Sequence, residues 1–539
     1  MMKLLKYVNF LLIAVLSLVL FGCDGHSDDP TLPPSADGLE QNLDYNEDGT
    51  FNEDYIDNVT LNVWSVIGAP DKTTWENLIR EFNIEYDGKI KVNLISHGHE
   101  VFYTSLENTK VNNPDEFPDV VIMHNEKTIQ YAADGYFYAV DDLIDAVKID
   151  YSFDQVYDNI ERTTIHEGKH YGIPMDAHGY LTNIRQDIIK KNELGFDNNT
   201  RFVQQTYAEY QTLLEGLYAK AQDGSLWVRN IASENDHSWY KIGEGNNKLV
   251  AERVVTKENF SPAFMFNPEN EILTALYVNG GSLLDASGKV NFHNNTLFQK
   301  YLTDIVNRFN SGLYGDAGGG VKDFVFPQGK TVMFSEGPWW VANSYDGLWN
   351  NSELTKAGEK GVTAEDAADP VYSHPYVVSR ATWLAQEGAP AENANKWYGN
   401  GHVITYTNKI KDLEKAAAAL VFAKWVTQGK DGNGDYNLAK WANAGHLPAW
   451  KNVYDSDSYR AIAANNMTLQ ALGDPANIIS LESTKYATYL TTGVVGAVGD
   501  VHAQLLDANA GGCNAAQALE ILRSKASLTQ ETIDMMSWF

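Results

Sequence analysis

A chain of 539 residues that is 44% hydrophobic and 12% aromatic can bury a large core, which excludes a wholly disordered protein. Its 41 Lys+Arg against 71 Asp+Glu give a formal charge of −30, which argues against nucleic acid or an anionic membrane surface as partner. Two cysteines, Cys23 and Cys513, exclude a disulfide framework, so packing must hold the fold together.

In chain order, Lys3 and Lys6 precede an apolar run from Phe10 to Phe21, and Leu20-Phe21-Gly22-Cys23 follows. A charged start, a short apolar stretch and a small residue before the cut describe an export signal over 1–22, too short to span a membrane. The Leu-x-Gly-Cys ending resembles a bacterial lipobox, in which the cysteine becomes the mature N-terminus and carries two acyl chains. Two chains suffice for stable anchoring. The expected location is therefore extracytoplasmic, tethered to the membrane by lipid at Cys23. Residues 23–58 are acidic and rich in Asp, Pro, Gly and Asn, and read as a flexible tether. Asp44, Asn46, Asp48 and Gly49 match the first half of a calcium loop, but Tyr55 stands where a bidentate acid belongs, so solvated chain is the preferred reading. The loop 431–435 repeats that spacing without a closing acid and reads as surface.

From Leu61 the pattern turns regular. Leu61 and Val63 alternate with polar neighbours as a strand does; Thr73 and Glu76 form a capping-box pattern, followed by Trp75, Leu78, Ile79 and Phe82 at helical spacing. Ile90, Val92 and Leu94 predict a second strand, 101–111 a helix, and 119–123 a buried third strand. Strand–helix–strand–helix–strand implies a parallel sheet with helices on both faces, and ligands of such sheets sit beyond the carboxyl ends of the strands. That places Trp64, His124, Asn125 and Glu126 on the ligand side. Further helices are predicted over 206–222, 271–277, 297–309 and 413–427, the last with one apolar stripe and Gly429 as its cap.

Walker, nucleophile-elbow, His-Glu-x-x-His and Cys-x-x-Cys motifs are missing, so neither a catalytic residue nor a cofactor is expected. His97, His99 and Glu100 are read as surface groups and not as a metal site. What stands out is aromatics at Gly/Pro breaks: Gly337-Pro338-Trp339-Trp340, Trp397-Tyr398-Gly399-Asn400-Gly401-His402 and the run from Tyr171 to His178. Sugars are recognised by aromatic faces with carboxylates, amides and imidazoles at the rim; aromatics plugging the core beside turns are the competing reading.

These residues, together with Pro118-Asp119-Val120-Val121, Tyr131 to Gly135, Phe326 to Lys330 and Ala444 to Pro448, lie in the order found in extracellular solute-binding proteins of family 1, the maltose-binding-protein-like group that feeds ABC importers. The resemblance covers about residues 60–525. It implies an α/β, two-lobed, type II periplasmic-binding-protein-like fold, each lobe a mixed, mainly parallel sheet flanked by helices, joined by a crossover hinge. The expected partition is 59–178 plus 372–427 for the N-terminal lobe and 179–371 plus 428–539 for the C-terminal lobe. It implies cleft roles for Trp64, His124, Glu126, Asp176, His178, Glu269, Trp339, Trp340, Asn400 and His402. The expected function is capture of a carbohydrate, an oligosaccharide above all, by a monomer that delivers it to permease subunits. Alternatives are a lipoprotein glycoside hydrolase, a binding protein for a non-sugar solute, and an adhesin-like surface module. Apparent insertions at 231–258, 350–369 and 430–436 exceed the family's usual length.

Overall fold

The computed structural model describes residues 33–69, 71–197, 201–202, 205–231, 237–242, 255–264, 268–315, 325–338, 358, 361–479, 481, 484–507 and 512–536. Cys23, Trp339 and Trp340 lie outside them.

The first lobe opens with β1 (Val59–Ser65), α1 (Lys72–Glu85), β2 (Ile90–Ser96), α2 (His99–Asn112), β3 (Val120–His124) and α3 (Asn125–Ala133). The chain then makes two short strands, β4 (Ile173–Pro174) and β5 (Asp176–Ala177), and crosses to the second lobe. There it forms β6 (Leu181–Ile184), β7 (Ser261–Phe264), α4 (Pro268–Val278), β8 (Tyr314–Gly315), β9 (Thr331–Glu336) and β10 (Val377–Ser379). It returns through β11 (His402–Tyr406), α5 (Leu413–Thr427) and β12 (Leu447–Pro448), and ends in the second lobe with α6 (Ala487–Leu506) and α7 (Ala515–Met536).

The two sheets have the orders β2-β1-β3-β11-β4 and β8-β7-β9-β6-β10. In each, four strands run in one direction and one crossover strand, β11 in the first sheet and β6 in the second, runs antiparallel to both its neighbours. The shared pattern is a two-lobed α/β fold of the type II binding-protein kind. Strands β1 and β3 carry apolar side chains on both faces because helices cover both, so Leu61, Val63 and Val120 to Met123 are all buried.

Several expectations are corrected. Residues 35–56 are not a free tether: Ala36, Leu39, Leu43 and Ile56 are buried in the first lobe's core, and the backbone of Glu40 pairs with Lys411 and Leu413. Four spaced apolar side chains outweigh the acidic composition there. Helix α1 has Asp71 at its N-cap with no side-chain cap bond, so the Thr73–Glu76 pattern falls inside the first turn. Helix α5 is buried on nearly every side, not along a stripe, because its small alanines let neighbours approach all round. The lobe partition also differs. Strand β10 belongs to the second sheet, while Leu438, Trp441, Leu447 and Trp450 pack in the first lobe's core, and residues from Ile479 onward in the second.

In the second lobe Asp187 holds two arginines at zero exposure. Arg185 donates Nε and Nη2 to it at 2.8 and 2.9 Å, and Arg229 donates Nε at 2.7 Å. The guanidinium groups also bond the carbonyls of Phe326, Pro327 and Tyr372 and so tie distant segments together. Burial opposes the Asp187 charge, but the two arginines overcome it and hold the carboxyl below its ordinary range. Removing one partner of such a group leaves buried charge unpaired. Asp187→Ala is expected to lose about 3–5 kcal/mol of unfolding free energy, read as a fall in urea midpoint at unchanged slope.

Candidate functional site between the lobes

Helices α3 and α4 start at the carboxyl ends of β3 and β7, in opposite lobes, and each carries a glutamate in its first turn, Glu126 and Glu269. Asn400, on the returning crossover, hydrogen-bonds Glu126 through its side chain. Its backbone exchanges 2.8 Å bonds with that of His178 on the outgoing one. Beside Glu126 lies a crevice with about 10 Å³ of room for water, lined by Asn125, Glu126 and Thr163 of the first lobe, Tyr398 and Gly399 of the crossover, and Leu481 and Ala487 of the second lobe. The crevice is barely wider than a water, so a sugar ring enters only if the lobes part. Lys127 of α3 reaches Thr488 of α6 at 3.3 Å across it.

The electrostatics are unusual for an acidic pair. A helix N-terminus favours negative charge by about 0.3–1 kcal/mol, yet burial pushes both carboxyls up and each is disfavoured or relieved by its neighbours. Glu269 reaches about 7, through burial first and the Glu126 charge second, with Lys127 opposing. Glu126 is raised by burial, and its Oε2 has no hydrogen-bond partner among the described residues. Glu126 thus brings an unpartnered acceptor to the crevice, and the nearby Glu269 carboxyl is half protonated near neutrality.

Behind the crevice lies a second polar group. Asp176 Oδ1 accepts from the His402 backbone N–H at 2.8 Å; Oδ2 contacts His402 Nδ1 at 2.8 Å and accepts from Trp441 Nε1. His178 Nδ1 lies 3.4 Å from Asp176 Oδ1 and 3.0 Å from His446 Nδ1, and His446 Nε2 meets Asp71 at 3.1 Å. Burial opposes charge throughout. Even so, the His402 and His446 charges hold Asp176 well below its ordinary value, and Asp176 and Asp71 lift His446 to about 9. Burial and the His446 charge drop His178 to about 4, so it is neutral at physiological pH. His124 stands beside this group, its ring 5.1 Å from that of His402, with Nδ1 3.1 Å from Tyr103 Oη.

The structure therefore brings His124, Glu126, Asp176, His178, Glu269, Asn400 and His402 to one region, in two layers. Asp176 and His178 do share a face, but they are 0% and 4% exposed, and the Asp176 oxygens are taken by protein groups. Trp64 packs against His97 at 4.5 Å within a small core with Phe102 and Tyr131, so it is no stacking platform. Trp397 and Tyr398 are buried plugs at the hinge. Sequence reasoning gave no role to Asp71, Tyr103, Trp441 and His446. The available signal was His446 in Gly445-His446-Leu447-Pro448, a histidine at a Gly/Pro break like His178 and His402.

The match to a family model covers residues 77–467, the bacterial extracellular solute-binding proteins, and the chain belongs to that family. No curated protein matches the sequence significantly. Among solved structures, the GacH receptor of Streptomyces glaucescens, determined unliganded and with acarbose and an acarbose homolog, aligns with TM-score 0.61 at 14% identity, over 88% of this chain and 98% of its own. The ABC substrate-binding protein Lmo0181 of Listeria monocytogenes, in complex with cycloalternan, gives 0.59 at 15% identity, over 89% and 100%. UgpB of Mycobacterium tuberculosis, in complex with glycerophosphocholine, gives 0.60 at 15%, over 88% and 99%.

The carboxyl pair sets a pH dependence. With Glu269 raised from 4.5 to about 7, closed lobes bear the full cost of its charge above pH 7, and proton uptake removes that cost as pH falls to 4.5. Glu269→Gln should raise the melting temperature at pH 8, by up to about 3 kcal/mol of stability, and leave it nearly unchanged at pH 4.5. Melting curves across that window at fixed ionic strength read the difference.

Proposed function

We propose that the protein captures an extracytoplasmic carbohydrate, an oligosaccharide in the first instance, and hands it to the permease of an ABC importer. The observation that carries this is the junction where two helix N-termini from opposite lobes bring Glu126 and Glu269 near each other, with Glu126 hydrogen-bonded by the Asn400 amide and lining the crevice. Carboxylates and amides of this kind satisfy the outward-turned hydroxyls of a sugar. Binding free energy then stabilises the closed state, which is what a permease distinguishes from the open one. Family membership supports solute capture, and acarbose and cycloalternan in structural relatives support a sugar.

A thermal-shift panel of mono- and oligosaccharides, with glycerophosphocholine included, tests the reading: a ligand at 100 times its dissociation constant adds about 2.7 kcal/mol. Glu126→Gln and Asn400→Ala should each weaken the responding sugar at least tenfold while the unliganded melting point moves little. Response to glycerophosphocholine alone would replace the sugar reading with a non-sugar solute.

The glycosidase reading keeps one specific observation in its favour, a carboxyl at about 7 facing a second carboxyl. Release of reducing sugar over hours, abolished in Glu126→Gln, would establish it; binding without turnover excludes it.

Lipid anchoring through Cys23 is part of the same proposal. Cys23→Ser should release the body in soluble form with ligand affinity intact, read by detergent-phase partitioning.

A further inference from the structure

We propose that Asp176, His178, His402 and His446 form a site for one divalent transition-metal ion of the zinc class, built into the root of the two crossovers. All four are buried, and one ligand atom from each lies within 4.8 Å of every other. The short separations are 2.8 Å (His402 Nδ1 to Asp176 Oδ2), 3.0 Å (His178 Nδ1 to His446 Nδ1) and 3.4 Å (His178 Nδ1 to Asp176 Oδ1, and His446 Nδ1 to Asp176 Oδ2). A tetrahedral ion 2.0–2.1 Å from nitrogen and oxygen ligands sets neighbouring ligand atoms about 3.3 Å apart; these pairs bracket that spacing, and the others, all within 4.8 Å, need to draw in by at most about 1.5 Å. Three imidazoles and a carboxylate are a borderline-soft set suited to zinc and unsuited to calcium or magnesium.

The surroundings fit the same reading. His446 turns its other nitrogen, Nε2, to the Asp71 carboxylate at 3.1 Å, the outer partner that orients a metal-bound imidazole. Trp441 Nε1 and the His402 backbone N–H hold the Asp176 oxygens, and the Trp441 ring lies 4.8 Å from the His446 ring. The ligands come from three segments, each anchored by backbone pairing: β5 with β12, and His178 with Asn400. Four protein ligands leave no open position, so the ion would be structural and would fasten both crossovers to the first lobe. The site lies behind the crevice and does not depend on what the crevice binds.

The test uses the untagged mature chain, because a histidine tag would bind the same ions. After chelator treatment, Co²⁺ is titrated in. The expected result is saturation at one equivalent with the intense visible bands of tetrahedral, nitrogen-ligated cobalt, and a raised melting temperature. His178→Gln and His446→Gln should each abolish those bands. Asp71→Asn, outside the ligand set and less apt to disturb folding, should weaken the ion ten- to a hundredfold. Absence of a stoichiometric tetrahedral spectrum in the wild type overturns the proposal and leaves a cluster held by protons alone. Bands unchanged in affinity in Asp71→Asn place the ion elsewhere and overturn it as well.

Discussion

The fully buried carboxylate of Asp176 is the constraint around which the junction of the two lobes is built. An isolated charge at zero exposure would cost several kcal/mol or neutralise itself, yet here the carboxyl is driven further toward its ionised form. It can be so only because donors arrive from three separate stretches of chain: His178 two residues on, His402 with its backbone N–H on the returning strand, and Trp441 and His446 from the segment before β12. None of these contacts is local except the first. The carboxylate is satisfied only when both crossovers and the late return of the chain into the first lobe are in place.

Backbone packing at the junction follows from that demand. A Cβ on Gly401 would sit 2.2 Å from the Asp176 carbonyl oxygen, and one on Gly179 would sit 2.3 Å from the Trp397 ring. Both are below any real contact, so the glycines let the crossovers lie against each other with Asp176 aimed at His402. The alternation Gly399-Asn400-Gly401-His402 then has a plain division of labour: the glycines permit the approach, Asn400 faces Glu126 in the crevice, and His402 turns back to Asp176.

How far the sequence reveals this arrangement depends on how local each feature is. The parallel strands of the first lobe were legible because their apolar runs and the intervening helix periodicities are properties of single segments. The cleft region was legible through topology, since β3 ends at His124 and α3 begins at Asn125, beyond the carboxyl end of the sheet. The depth of each residue was not. Asp176 and His178 look like rim groups from their polarity, and only the distant Trp441 and His446 turn them into a buried layer. The lobe assignment of 438–450 failed for a related reason. Trp441 and Trp450 read equally well as core of either lobe, and the choice is made by contacts with Trp75 and the Pro174 carbonyl, hundreds of residues earlier. The stretch 35–56 misled in the opposite direction, because composition averages over a segment whereas burial is decided by four side chains.

The two layers at the junction also differ in what they can do. At the crevice side, burial holds the carboxyls of Glu126 and Glu269 above their ordinary values, so their charged forms carry unfavourable energy in this arrangement. In the layer behind, opposite charges and imidazoles are already matched, so ligand arrival has nothing there to relieve. The division is between two raised carboxyls and a satisfied buried group that fixes where the lobes are joined. The raised carboxyls would be useless without the second, because their repulsion would be lost in any looser hinge that let the two glutamates drift apart.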